Sequence, residues 1–199
     1  MLDFNGQVVI VTGAGSPKGI GRTIAQTFAR QGATVVLTDI NQEGVAANAK
    51  EIEAMGGKAY GVAGNICDKA SVDALIADVM EKFGRIVHLS SVSGKRGGGV
   101  FGGAHYSASK AAVLGFSKNL AREVSQYGIT TNCVCPGLIN TEIWKSMPKE
   151  QADAVIAGIP MGRPGETQEV ADTIVFLASK EASYITGEEI DINGGSHMD

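Results

Sequence analysis

The strongest constraint on this chain lies near its start. Gln7 to Thr12 reads QVVIVT, a continuous apolar and β-branched run of the kind found in strands buried on both faces of a sheet. It runs directly into Thr12-Gly13-Ala14-Gly15-Ser16-Pro17-Lys18-Gly19-Ile20-Gly21 and then into a helical pattern from Gly21 to Arg30, where Ile24, Ala25 and Phe28 share one face. A glycine-rich turn between a strand and a helix is where an α/β fold brings its backbone close to a pyrophosphate. The glycines allow a tight turn, and the helix start offers unpaired N–H groups and partial positive charge. The whole chain shares this bias, with 27 glycines in 199 residues but only five prolines and no Gly-X-Y period, which excludes collagen-like and low-complexity chains.

The rest of the sequence alternates short apolar runs with longer helical ones, as a parallel sheet covered by helices requires. Strands are predicted at Ala33–Thr38, Lys58–Ala63, Ile86–Ser90, Ile129–Cys135 and Glu189–Ile192. Helices are predicted at Gln42–Met55, Lys69–Phe83, His105–Ser125, Lys149–Ala157 and Val170–Ala178, with a glycine-rich loop over Gly94–Gly103. No repeat or linker interrupts the pattern, so a single α/β domain over residues 1–199, a doubly wound parallel sheet, is expected. A hydrophobic share of 44%, a charged share of 19% and a net charge of -4 argue against a disordered chain and against nucleic-acid binding.

No apolar stretch approaches the roughly 20 residues that span a bilayer, so no membrane partner is expected. Three cysteines without a signal-peptide pattern suggest a reducing, cytoplasmic setting. Cys133 and Cys135 should share one strand face, but a lone C-x-C with no nearby histidine predicts no metal.

Two further features bear on chemistry. Asp39 ends the second strand 18 residues after Gly21, near the spacing at which a carboxylate accepts from the adenosine ribose hydroxyls. Its charge would repel a 2'-phosphate and favours NAD, while Lys18 in the turn keeps NADP possible. Tyr106 and Lys110 stand at i and i+4 on one helix face, following Ser90-Ser91 at a strand end. A phenol beside a cation can exchange a proton near neutrality, and a serine hydroxyl can hold the reacting oxygen.

In this order the motifs resemble the short-chain dehydrogenase/reductase family, and within it the 3-oxoacyl-(acyl carrier protein) reductases and related alcohol and polyol dehydrogenases. The matching positions are the turn from Thr12 to Gly21, Asp39, Asn65-Ile66, Ser91, Tyr106, Lys110, Asn132, Pro136-Gly137, Thr141 and Asp191-Ile192-Asn193-Gly194-Gly195. The resemblance implies a Rossmann fold and an NAD(P)-dependent oxidoreductase. Hydride would pass between nicotinamide and a secondary alcohol or ketone such as a 3-oxoacyl thioester, a polyol or a simple alcohol. Tyr106 would be the acid/base, Lys110 the cation that assists it and binds the nicotinamide ribose, and Ser91 the group polarising the substrate oxygen, with Ser93 as fallback. Gly13, Gly15, Ser16, Lys18, Gly19, Ile20, Gly21, Asp39, Ile40, Asn65 and Ile66 would line the adenosine and pyrophosphate. Pro136, Gly137, Ile139 and Thr141 would lie by the carboxamide. Substrate choice would rest with Leu138–Gly162, where Trp144 and Met147 are candidate lid residues, and with the loop before Tyr106. A homo-oligomer, tetramer or dimer, is also implied.

The chain departs from the pattern in two places. The glycine turn is longer by two residues. More seriously, the family's fourth strand and following helix, which carries a catalytic Asn, have no counterpart, and the shortfall lies between Gly84 and Val87. Closing the sheet would require Ile86–Ser90 to pair directly beside Gln7–Thr12. The alternative raised by the shortfall is an impaired nucleotide-binding protein or a truncated subunit with a structural role.

Overall fold

A computed structural model describes residues 2–71, 84–98, 102–142 and 147–198. The chain forms two compact units, residues 1–83 and 84–199. Both have the parallel α/β pattern predicted from the alternation of runs.

The first unit is β1 (Val8–Thr12), α1 (Ile20–Arg30), β2 (Thr34–Asp39), α2 (Gln42–Ala54) and β3 (Lys58–Ala63), with strand order β1-β2-β3, all parallel. The registers Val9↔Val35↔Ala59 and Val11↔Leu37↔Gly61 place one set of small and branched residues on a common face. Val11, Val35, Leu37 and Ala59 are buried together with Ile24, Ala25 and Phe28 of α1 and Val45, Ala49 and Ile52 of α2. Phe4 closes the base edge-to-face on Phe28, with ring centroids 5.0 Å apart.

The second unit is β4 (Arg85–Leu89), a five-residue helix α3 (Val92–Arg96), α4 (Ala104–Val124), β5 (Thr130–Pro136), α5 (Lys149–Ala157), α6 (Thr167–Ala178) and β6 (Glu189–Ile192), with strand order β4-β5-β6, again parallel. β5 is the central strand and is buried along its whole length. Asn132 is buried on it and spends its side chain on the loop before β6, with Nδ2 donating to Ile185 O at 2.8 Å and Oδ1 accepting from Glu188 N at 3.1 Å. Cys133 and Cys135 are buried free thiols. Contact with Cys135 and burial push the Cys133 thiol far up, so it is no nucleophile at neutral pH.

Three expectations are revised. β1 is not buried along its length: only Val11 of it is buried, and Val8 is 40% exposed. Within its own unit β1 pairs with β2, and β4 pairs with β5.

The loop expected over 94–103 begins instead as α3, because Ser91 supplies an N-cap, its Oγ accepting from Ser93 N at 3.1 Å. Helix α6 starts three residues before Val170, because Glu166 and Glu169 form a reciprocal capping box. The predicted helix over 69–83 beyond Ser71, and Trp144, lie outside the described residues. Among the described residues no helix is long and apolar enough to cross a membrane, and no His, Cys, Asp and Glu cluster could hold a metal.

Candidate functional site

In the first unit the glycine turn is held by backbone contacts and two side chains. Gly13 has φ +67°, open to glycine but strained for other residues. A Cβ on Gly21 would come within 2.5 Å of Gly13 O, so the first turn of α1 packs directly on the chain leaving β1. A Cβ on Gly15 would meet the Asp39 carboxyl carbon at 2.8 Å.

Asp39, at the end of β2, uses Oδ2 to accept from Gly15 N and Oδ1 to accept from Asn41 N, both at 3.0 Å. Each oxygen retains a lone pair for a further donor. Gly19 precedes α1 with extended backbone and no side-chain cap, and the first turn of the helix contains no acidic residue. The positive end of the helix therefore faces the turn without a built-in anion. These features fit a dinucleotide: a backbone surface that a phosphate can approach and a fixed carboxylate one strand away.

Ser16, Lys18, Gly19 and Ile20 lie along this turn, and Ile40 follows Asp39 with its side chain exposed. Asn65 and Ile66 follow β3. Asn65 Oδ1 accepts from Cys67 N at 3.0 Å, and Ile66 is exposed.

Asn48, absent from the sequence reading, completes this half. It lies on the buried face of α2 with Val45, Ala49 and Ile52, and its Nδ2 donates to Ala14 O at 2.7 Å and Ser16 O at 3.2 Å. An amide at a core-facing helix position is the signal that could have found it, since a buried polar group must be paired.

In the second unit Tyr106 and Lys110 occupy successive turns at the start of α4. Lys110 Nζ lies 5.8 Å from the Tyr106 ring centroid and donates to Leu89 O, at the end of β4, at 2.9 Å. Ser90 is buried and donates its Oγ to Lys110 O at 2.8 Å, which commits that hydroxyl to the interior. Ser91 is partly exposed, and its Oγ lone pair receives Ser93 N, which leaves its own proton available to an incoming oxygen. Ser93 contributes its backbone N–H to this cap.

Helix α3 packs tightly on α4, since a Cβ on Gly94 would meet Lys110 C at 2.7 Å. Gly102 likewise admits no side chain, because its Cβ would fall 2.5 Å from Tyr106 Cδ1, so its backbone fixes the tyrosine ring.

Pro136 ends β5 and Gly137 follows it, its N donating to Ile192 O at 3.0 Å. Ile139 is buried and bridges Gly165, and Thr141 follows Asn140, whose N–H donates to Gly165 O at 2.7 Å. The proposed site residues thus assemble as two local groups, one in each unit.

Comparison with known proteins gives these groups a common context. A family described as short chain dehydrogenase matches residues 7–86, and one described as Enoyl-(Acyl carrier protein) reductase matches residues 79–197. The chain is 33% identical to the 3-oxoacyl-(acyl-carrier-protein) reductase of Escherichia coli (strain K12) over 250 positions, covering 99% of this chain and 100% of the relative. The corresponding reductase of Salmonella typhimurium is 34% identical over 251 positions, covering 99% of this chain and 100% of the relative. Both alignments are longer than the 199-residue chain, so these relatives contain positions with no counterpart here.

Among solved structures, a 3-oxoacyl-(acyl-carrier protein) reductase from Brucella melitensis superposes with a TM-score of 0.90 at 28% identity, covering 99% of this chain and 93% of that one. A second such reductase from the same organism, solved with bound NAD, gives a TM-score of 0.87 at 29% identity over 98% of this chain and 92% of that one. The chain belongs to the short-chain dehydrogenase family and is an NAD(P)-dependent oxidoreductase.

Proposed function

We propose that this protein interconverts a ketone and a secondary alcohol on an acyl thioester, the 3-oxoacyl class named in its relatives, with Tyr106, Lys110 and Ser91 as the reacting set. The observation that carries the reading is the arrangement at α4. Lys110 Nζ stands 5.8 Å from the Tyr106 ring centroid, and Ser91 accepts a backbone N–H while keeping its own proton to donate.

In the reducing direction the Ser91 hydroxyl donates to the carbonyl oxygen and orients it. Tyr106 then passes its phenolic proton to that oxygen as negative charge develops there, and solvent returns a proton to the tyrosine. The charge left on the phenol oxygen is stabilised by the Lys110 ammonium, which the Leu89 carbonyl fixes in place. When bound, the nicotinamide supplies or accepts the hydride.

Gly13, Gly15, Ser16, Lys18, Gly19, Ile20, Gly21, Asp39, Ile40, Asn65 and Ile66 would hold the adenosine and pyrophosphate. Pro136, Gly137, Ile139 and Thr141 would hold the carboxamide. Asp39 supports NAD over NADP, because its carboxylate is fixed by Gly15 N and Asn41 N and would oppose a 2'-phosphate. Replacing it with Ser should improve relative use of NADPH by about tenfold, or about 1.4 kcal/mol. A homo-oligomer is supported by α4, which buries only Leu114, Ser117 and Ala121 and leaves Phe116 59% exposed.

The deciding experiment measures NAD(P)H oxidation with a 3-oxoacyl thioester, a simple ketone and a polyol ketone, for the unaltered protein and for Tyr106→Phe. Turnover of the thioester that falls at least ~100-fold in Tyr106→Phe, with cofactor affinity kept, supports the reading. Cofactor binding without turnover of any substrate would favour a nucleotide-binding role instead. Unchanged turnover in Tyr106→Phe would remove Tyr106 from the mechanism.

A further inference from the structure

Helix α3 poses a mechanical problem. It has five residues, too few to be stable alone, yet it begins on the Ser91 hydroxyl. Its last turn contains Lys95, whose side chain is only 5% exposed, and burying an ammonium is costly unless opposite charge meets it.

Two carboxylates from β6 meet it. Asp191 Oδ2 accepts from Lys95 Nζ at 3.0 Å, and Glu189 Oε2 lies 3.7 Å away while its Oε1 reaches Lys118 Nζ of α4 at 2.7 Å. The register Cys133↔Glu189 and Cys135↔Asp191 sets both acids two residues apart along β6, against the fully buried central strand. Asp191 Oδ1 is buried without a hydrogen-bond partner among the described residues, so this carboxylate depends on Lys95 for its compensation. The neighbouring Arg96 donates to Ser196 O at 3.0 Å.

We propose that Lys95 is a positioning residue for Ser91: its buried ion pair with Asp191, supported by Glu189, anchors α3 to β6 and so fixes the serine hydroxyl at the head of that helix. The inference rests on the reading of Ser91 as the group that holds the substrate oxygen. Ser91 Oγ is located by the Ser93 amide, and Gly94 N, bonded to Ser91 O at 2.9 Å, closes the same turn from which Lys95 extends. An anchor on Lys95 therefore acts within one turn of the hydroxyl, where displacements near 1 Å cost about 100-fold in rate.

The test is a double-mutant cycle on the full chain with NAD(P)H and a 3-oxoacyl thioester. The paired change Lys95→Met with Asp191→Asn removes the anchor without leaving either partner as an unpaired buried charge, while Glu189 keeps Lys118. It should lower kcat about 10- to 100-fold with the NAD(P)H dissociation constant unchanged. In a Ser91→Ala background the same pair of changes should cost no more than about twofold further, since the group it positions is gone. An equal loss in both backgrounds, or no loss in the first, overturns the proposal.

Glu189→Gln, which removes the longer arm alone, should give a smaller loss in the same direction, about threefold, and serves if the paired variant does not fold. Amide hydrogen exchange at residues 92–97 adds a readout independent of turnover. Exchange at Ser93 and Gly94 should accelerate when the anchor is removed, and unchanged protection would refute it. If Ser91→Ala leaves kcat intact, the role of Ser91 fails, and the exchange rates alone then decide whether Lys95 anchors the helix.

Discussion

Around the glycine turn of residues 1–83 the closest approaches are between backbones. Gly21 sits on Gly13 O, and Gly44 lies against Gly15 O so closely that neither position admits a side chain. Around Tyr106 in residues 84–199 most of the fixing is done by side chains: Ser90 on Lys110 O, Lys110 on Leu89 O, Ser91 on Ser93 N and Lys95 on Asp191. The difference matches the two tasks proposed for these groups. A pyrophosphate needs a surface that gets out of its way and presents N–H groups, which glycine backbone supplies. A proton transfer needs a phenol, a cation and a hydroxyl held at fixed distances, which only side chains with their own partners supply. The first kind of site should fail when atoms are added and the second when partners are removed.

The most severe test of this contrast is Gly21→Ala. The added methyl would lie 2.5 Å from a main-chain oxygen, with no flexible side chain to yield, so α1 must move off β1. Loss of NAD(P)H affinity by at least ~100-fold is expected by fluorescence titration, together with a lower Tm. Unchanged affinity would mean that the turn does not owe its shape to this contact.

Gly102→Ala probes the exception in the second unit, where a backbone rather than a side chain fixes the catalytic candidate. The methyl would meet the Tyr106 ring at 2.5 Å, and rotation of the ring away from it should lower kcat about 10- to 100-fold while cofactor affinity stays as it was. A matched control is Gly115→Ala in the interior of α4, where nothing lies within 4 Å of the new Cβ. That variant should keep its activity and gain about 0.5–1 kcal/mol in stability.

Asn48→Ala tests the converse exception, a side chain supporting the backbone-built site. Without the amide, Ala14 O and Ser16 O lose their donor, and a stability loss of about 1–2 kcal/mol in denaturant unfolding is expected, along with weaker cofactor binding. Stability equal to that of the unaltered protein would show the turn to be self-supporting.

The sequence made visible those parts of the fold and site whose partners are near in the chain. The β1–turn–α1 unit, Asp39 at the end of β2 and the Tyr106–Lys110 spacing are all local patterns, and the structure has each at the end of the element expected of it. What escaped was set by distant partners. Lys95 and Asp191 stand 96 residues apart, and Asn48 lies 34 from Ala14, so neither pairing leaves a periodic trace. Helix α3 was hidden by the glycines after it, since its one sequence signal is the capping Ser91. The exposure of β1 was also unreadable locally: QVVIVT reads as a strand buried on both faces, whereas only Val11 of β1 is buried.

The smallest effect separates the two units by charge. All three histidines, His88, His105 and His197, fall in the second unit, and burial holds the pKa of His88 below its ordinary value. Its ring packs edge-to-face on Phe116 with centroids 5.5 Å apart at 84°, and Nε2 is buried without a hydrogen-bond partner among the described residues. The folded state therefore resists a proton that the unfolded chain accepts near pH ~6.5. Because the folded pKa is the lower one, the stability contribution is present above pH ~6.5 and is lost as pH falls through the folded value. Thermal unfolding should show a modest fall in Tm between about pH 7.5 and 5.5, smaller than the effect of Asn48→Ala. In His88→Leu that part of the slope should disappear, since an apolar side chain there has no proton to bind. A slope of the same size in the variant would assign the pH dependence to other groups and leave the two units indistinguishable in this range.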